Sequence, residues 1–117
     1  MKRVIVESPF AHAIDDDVTS ARVWRYVRAA LRDCLLRGEA PFASHGLYTQ
    51  EGVLSDWEPS ERALGIAAGF AWGEVAELRA FYTDLGVTSG MLKGIEEAER
   101  LGQAYEKRTI PGWKETT

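Results

Sequence analysis

With one cysteine in 117 residues, the chain can form no internal disulfide. Cys34 sits among apolar positions and reads as a small buried hydrophobe rather than a catalytic thiol. No apolar run approaches the roughly 20 residues that span a bilayer, and no charged-then-apolar leader opens the sequence. A cytoplasmic location is therefore expected, with no membrane partner. Positive charge is also scarce. The formal net charge of −4 gives no general attraction for nucleic acid, so no nucleic-acid partner is expected. The densest basic group is Arg22, Arg25, Arg28 and Arg32. Its three- and four-residue spacing predicts the solvated face of a helix.

Several chemical signatures are absent as well. There is no Gly-x-Gly-x-x-Gly turn and no P-loop lysine, which disfavours dinucleotide dehydrogenases and NTPases. No Gly-x-Ser-x-Gly elbow marks a hydrolase triad. The two histidines, His12 and His45, stand apart from any Cys or Asp cluster, so neither a metal nor a cofactor is expected. His12 precedes the first helix and reads as incidental.

What the chain does contain is alternation of short apolar runs with amphipathic helices, in a length that suits one domain. Lys2 to Val6 reads as a buried parallel strand, because Val4, Ile5 and Val6 are contiguous and β-branched. Ser8-Pro9 ends it. Asp15, Asp16 and Asp17 complement the start of a helix whose apolar face is Ala21, Trp24, Val27, Leu31, Cys34 and Leu35. Gly38 stops that helix. A second strand follows at Ala40 to Ala43, and the polar Ser44 to Gln50 reads as a loop.

Asp56-Trp57-Glu58-Pro59-Ser60-Glu61 is a dense helix-start signal. The helix beyond it holds Ala63, Gly65, Ala67, Ala68, Gly69, Ala71 and Gly73. Interior glycines cost about 1 kcal/mol each against alanine, so something must pack very close, either the sheet or a second subunit. Leu78 to Thr83 is the third strand. The last helix is capped by Thr88 or Ser89 and presents Met91, Ile95, Ala98 and Leu101 inward, with Lys93, Glu96, Glu97 and Arg100 toward water. Gly102 ends it, and Ala104 to Thr109 forms a polar final strand. The order implies an α/β, single-domain Rossmann-like or flavodoxin-like three-layer fold. It has about four parallel strands and three main helices over residues 1–117.

In such a sheet, ligands bind at the carboxyl edge of the strands. The residues expected there are Ser8, Pro9 and Phe10, then Ser44 and His45 with Tyr48 and Gln50, then Asp84 to Met91. Amides at the last helix N-terminus, with the Thr88 and Ser89 hydroxyls beside Gly90, suit an anion such as phosphate, although the same residues also serve as a cap. Tyr48 and Gln50 can stack on and bond a nucleobase, and His45 can bind a base or sugar or transfer a proton. Carboxylates that might act on a sugar anomeric carbon are Glu7, Asp84, Glu51 and Glu61. Glu7 has the weakest structural alternative, since an acid directly after an apolar strand needs a partner if buried.

Taken together, three segments resemble the nucleoside 2-deoxyribosyltransferase-like superfamily, which includes nucleotide N-glycosidases. They are Val6-Glu7-Ser8-Pro9-Phe10, Ala40-Pro41-Phe42-Ala43-Ser44-His45, and Thr83-Asp84 with Thr88-Ser89-Gly90-Met91. More closely, the chain resembles a small family found in bacteria and their phages, from the Ser-Pro-aromatic turn through the Leu-Tyr-Thr-Gln stretch to Tyr105–Thr109. The resemblance implies a nucleotide held between the first turn and the final helix. It also implies a glutamate one turn into that helix as nucleophile. Aligning Ser89-Gly90-Met91 with that motif puts Gly94 where the glutamate belongs, and Glu96 and Glu97 face elsewhere. The expectation is a nucleotide-binding, homo-oligomeric protein lacking the usual nucleophile. It could act as a phage-encoded sensor or sequestering protein. The alternative is an N-glycosidase or deoxyribosyltransferase using a relocated carboxylate: Glu7, Asp84 or Glu61.

Overall fold

The computed structural model describes residues 1–10 and 17–114. His12, Asp15 and Asp16 lie outside the described residues. In chain order the elements are β1 (Arg3–Glu7), α1 (Asp17–Leu36), β2 (Ala40–Phe42), α2 (Ser44–Tyr48), α3 (Pro59–Gly73), β3 (Leu78–Tyr82), α4 (Ser89–Leu101) and β4 (Tyr105–Arg108). The four strands form one parallel sheet in the order β2-β1-β3-β4. This is the expected α/β fold, with each strand within a residue or two of its predicted span.

Alternating side chains divide the sheet into two faces. Val4, Val6, Leu78, Ala80 and Tyr82 pack against Tyr26, Val27, Ala30 and Cys34 of α1. Full burial of such side chains contributes about 1.5–3 kcal/mol each, so this face supplies most of the apolar driving force. Residues of the other parity meet α3 and α4. Gly73 of α3 abuts Arg79, and Gly94 of α4 abuts Phe81 and Glu7. Helices on both faces make the three layers.

Several helical details differ from expectation. The buried stripe of α1 is Val23, Tyr26, Val27, Ala30 and Cys34, while Ala21 and Leu35 are exposed. Aromatic Tyr26 draws the stripe around the helix, because its hydroxyl bonds Asp84 beyond the sheet edge at 2.6 Å. Arg22, Arg28 and Arg32 are solvated as expected, but Arg25 is half-buried over the Trp113 ring. Ser44 to Tyr48 is a short helix rather than a loop, though none of its residues is buried. On α4, Gly94 is buried where Leu101 was expected to be, and Glu97 is half-buried in a pair with Arg100. Leu101 lies in the last turn, exposed beside the αL cap Gly102.

The glycines of α3 pack within the monomer. A Cβ on Gly65 would lie 3.3 Å from Leu54, and one on Gly69 would lie 2.9 Å from Ser44 Oγ. At Gly73 it would overlap the Arg79 guanidinium.

Candidate functional site

From β1 the chain crosses to β2 on one side, and from β2 it returns past β1 to β3 on the other. The connections leaving the carboxyl ends of β1 and β3 therefore diverge, and such a switch point leaves a crevice. A cleft opens there, lined by Ser8 and Phe10 after β1, α2 with the first half of α3, and Thr88 to Met91 at the start of α4. Its cavity volume of about 170 Å³ exceeds the roughly 10–15 Å³ that admits one water by an order of magnitude, so a small molecule can enter.

One end of the cleft is built for hydrogen bonding. Thr88 caps α4, its Oγ1 accepting from the Met91 amide at 3.2 Å, while the Thr88 amide points at the Met91 sulfur. Helix geometry leaves the Ser89 and Gly90 amides with no intrahelical acceptor. Ser8 lines the same cleft. Its side chain is 1% exposed, and among the described residues its hydroxyl has no hydrogen-bond partner. Native proteins rarely leave a buried hydroxyl unsatisfied. Lys93, on the next turn of α4, also lines the cleft.

At the centre is Glu7, whose side chain is half-buried at the end of β1. Its Oε1 lies 3.5 Å from Arg79 Nη1 and its Oε2 lies 3.7 Å from His45 Nε2. Arg79 is itself buried in β3. Burial pulls its guanidinium below the ordinary value, opposed by Glu7 and then Glu97, yet arginine starts so high that it stays cationic. Gln103 holds it in place, accepting from Arg79 Nε at 2.6 Å and donating to the Gly73 and Ala76 carbonyls. His45 stacks on Phe10, with ring centres 5.5 Å apart, and Phe10 meets Trp24 edge-on.

The far end is aromatic and charged. Phe42, Tyr48 and Phe70 line it, beside an ion pair in which Arg62 bonds both Asp56 oxygens at 3.1 Å. Glu61 also lines the cleft, with one oxygen accepting from the Ser55 amide at 2.9 Å.

Of the residues predicted from sequence, Glu7, Ser8, Phe10, Ser44, His45, Tyr48, Glu61, Thr88, Ser89, Gly90 and Met91 meet around this cleft. Pro9, Gln50, Glu51 and Asp84, with Leu85 to Val87, do not line it. Pro9 is buried beside it, and Gln50 folds back to bond the Gly46 carbonyl at 3.0 Å. Asp84 accepts from Tyr26 and from the Ile110 amide, tying the β3 turn to the segment after β4. Sequence reasoning missed Asp56, Arg62, Phe70 and Arg79. A signal existed for Arg62: a cation near a helix N-terminus opposes the dipole and asks for a local reason.

An open parallel sheet with a polar-to-aromatic cleft at its switch point defines the structural class: a single α/β domain. The chain belongs to the family described as "Domain of unknown function (DUF7768)", whose model matches residues 2–108. No curated protein and no solved structure matches it. Among the described residues, no helix is long and apolar enough to cross a membrane.

Proposed function

We propose that the cleft binds a phosphorylated nucleoside. The phosphate sits on the Ser89 and Gly90 amides with Ser8 and Lys93, and the base lies among Phe10, Phe42 and Tyr48. The observation that carries this reading is the Ser8 hydroxyl, buried, without a partner among the described residues, and lining the same cleft as the start of α4. An anion there satisfies the hydroxyl and the helix dipole together. The resemblance to deoxyribosyltransferase-like proteins supports the same ligand class, and with it a cytoplasmic setting. The exposed apolar face of α3 supports a homodimer.

The test is calorimetry with nucleoside 5′-monophosphates, the matching nucleosides and inorganic phosphate. A monophosphate at 100 times its Kd should stabilise the fold by about 2.7 kcal/mol, with a rise in Tm. The nucleoside alone should bind more weakly, and Ser89→Asp should abolish the preference for the phosphorylated form. Absence of binding by every nucleotide, or equal affinity with and without phosphate, would refute the reading.

A further inference from the structure

We infer that Glu7 reads the sugar of the bound ligand, its two carboxylate oxygens accepting hydrogen bonds from vicinal 2′- and 3′-hydroxyls, and so restricts the cleft to ribonucleotides. The inference rests on the nucleotide-binding reading above and names the sugar that this site selects.

The molecule contains its own reference for a closed ion pair. Arg108 donates to both oxygens of Glu39, at 2.8 and 2.7 Å. Glu7, which lines the cleft, does not close on its cations in that way. It lies 3.5 Å from Arg79 Nη1 and 3.7 Å from His45 Nε2, beyond the range of about 2.7–2.9 Å found for charge-assisted hydrogen bonds. Arg79 has a donor to spare, since its Nη2 is buried and has no acceptor among the described residues. It is nonetheless held back. Gln103 accepts from Arg79 Nε at 2.6 Å and is itself fixed by the Gly73 and Ala76 carbonyls. The buried guanidinium thus offsets the charge of Glu7 and leaves its lone pairs to the cleft. A carboxylate compensated in this manner offers acceptors and no donor, so whatever meets it must bring the donors.

Helix α4 fixes how far those donors lie from the phosphate. Gly90, at the cleft, and Gly94 are four residues apart and share one face of the helix. A Cβ on Gly94 would lie 3.3 Å from Glu7 Cδ and Oε1. The carboxylate therefore rests against α4 about one turn, or roughly 5.4 Å, beyond Gly90. The ring hydroxyls of a nucleotide stand at a comparable distance from its 5′-phosphate. On its other side Glu7 reaches toward His45, which stacks on Phe10, where the base lies. The sugar then bridges the phosphate and base subsites over Glu7. A second phosphate in that position would meet the carboxylate with like charge, whereas a cis-diol meets two oxygens with two donors. Removing either hydroxyl leaves one oxygen of a largely buried carboxylate without its donor. A site built around a ligand hydroxyl discriminates strongly against the analogue that lacks it.

Calorimetry on the full chain tests this with adenosine, guanosine, cytidine and uridine 5′-monophosphates and their 2′-deoxy and 3′-deoxy counterparts. The tightest-binding ribonucleotide is expected to exceed each of its deoxy forms in affinity by about tenfold or more. A smaller ratio for either form would overturn the role of Glu7 and leave the phosphate reading standing. Glu7→Gln keeps the shape of the side chain but replaces one acceptor with a donor. It is expected to bring the three sugars within about threefold of one another while the preference for nucleotide over nucleoside survives. A folded Glu7→Gln protein, checked by circular dichroism, that still discriminates more than this would also overturn the inference. The wild-type ratios decide the matter if the variant does not fold. Failure of every nucleotide to bind would overturn both readings.

Discussion

Arg108 ends the last strand with its guanidinium almost fully buried beneath α1, where it serves three neighbours at once. It donates to both Glu39 oxygens, approaches the Tyr82 hydroxyl at 3.2 Å, and lies 3.6 Å from the Cys34 sulfur. The Tyr82 hydroxyl in turn donates a hydrogen bond to Asp33 at 2.6 Å. Cys34, read from sequence as a buried hydrophobe, is buried as expected, and burial pushes its thiol pKa up. The polar partners around it were not legible, because Arg108, Glu39 and Asp33 lie on a strand, a connecting turn and a helix. Glu39 is held below the usual carboxylate range by its Arg108 bonds, against the effect of burial. For Asp33 burial pushes upward, but the bonds from Tyr82 and Arg37 outweigh it and the net shift is downward. Folded values below unfolded ones give stability that is complete above about pH 5 and is lost as pH falls through the folded values. Arg108→Met leaves Glu39 uncompensated and should cost about 3 kcal/mol at pH 7. The check is the urea midpoint at pH 7, 5 and 3.5. The variant should lose its deficit relative to wild type as acid protonates Glu39, and a deficit independent of pH would contradict the pairing.

At the scale of the element, α3 shows how small residues place a helix. Gly65, Gly69 and Gly73 recur every four residues and receive Leu54, Ser44 and Arg79 in turn. The sequence announced close approach but left its target open between sheet and second subunit. The three glycines resolve it toward the monomer, since each faces a neighbour of the same chain. The strands were legible for a simpler reason: contiguous apolar residues bounded by turn residues have few alternatives. The helicity of α2 was not. Its five residues gain their helical form from position, with Gly46 resting on Trp24 and Val27 of α1. Gly73→Ala tests the packing of α3 directly. The new methyl must displace the Arg79 guanidinium, which bonds Gln103 and pairs with Glu7. Overpacking of this kind costs about 1–3 kcal/mol. Gly102→Ala, at an αL cap with open space around it, should be destabilising for backbone reasons alone. Urea unfolding with nucleotide titration separates the two. Only Gly73→Ala should also weaken nucleotide binding, because only it reaches the cleft.

For the whole molecule, the site was legible where the sheet order dictated it. Turns after β1 and β3 had to meet at a crevice once the strands were parallel and the crossovers right-handed. The Asp56–Arg62 pair and buried Arg79 were not, because their chemistry depends on contacts that no local pattern encodes. One feature of the exterior follows from composition instead. From Ala63 to Gly73 no side chain carries a charge and the Trp72 indole supplies the one polar atom, a pattern proper to a helix buried on every side. Yet Leu64 is 61% exposed and Trp72 54%, with Ala67 and Ala71 exposed between them. A second copy of the same helix is the partner this face fits best. In the homodimer proposed above, an isologous contact would let the small residues of two α3 helices approach closely. A charged partner would find nothing to pair with. The glycine side of α3 serves the cleft, so the two faces are separable. Sedimentation equilibrium should return a dimer at micromolar concentration. Ala71→Glu should convert it to a monomer that binds nucleotide with unchanged affinity, since two like charges would then meet near the axis without water to screen them. A wild-type chain that stays monomeric across the accessible concentration range would remove the dimer while leaving the cleft as described.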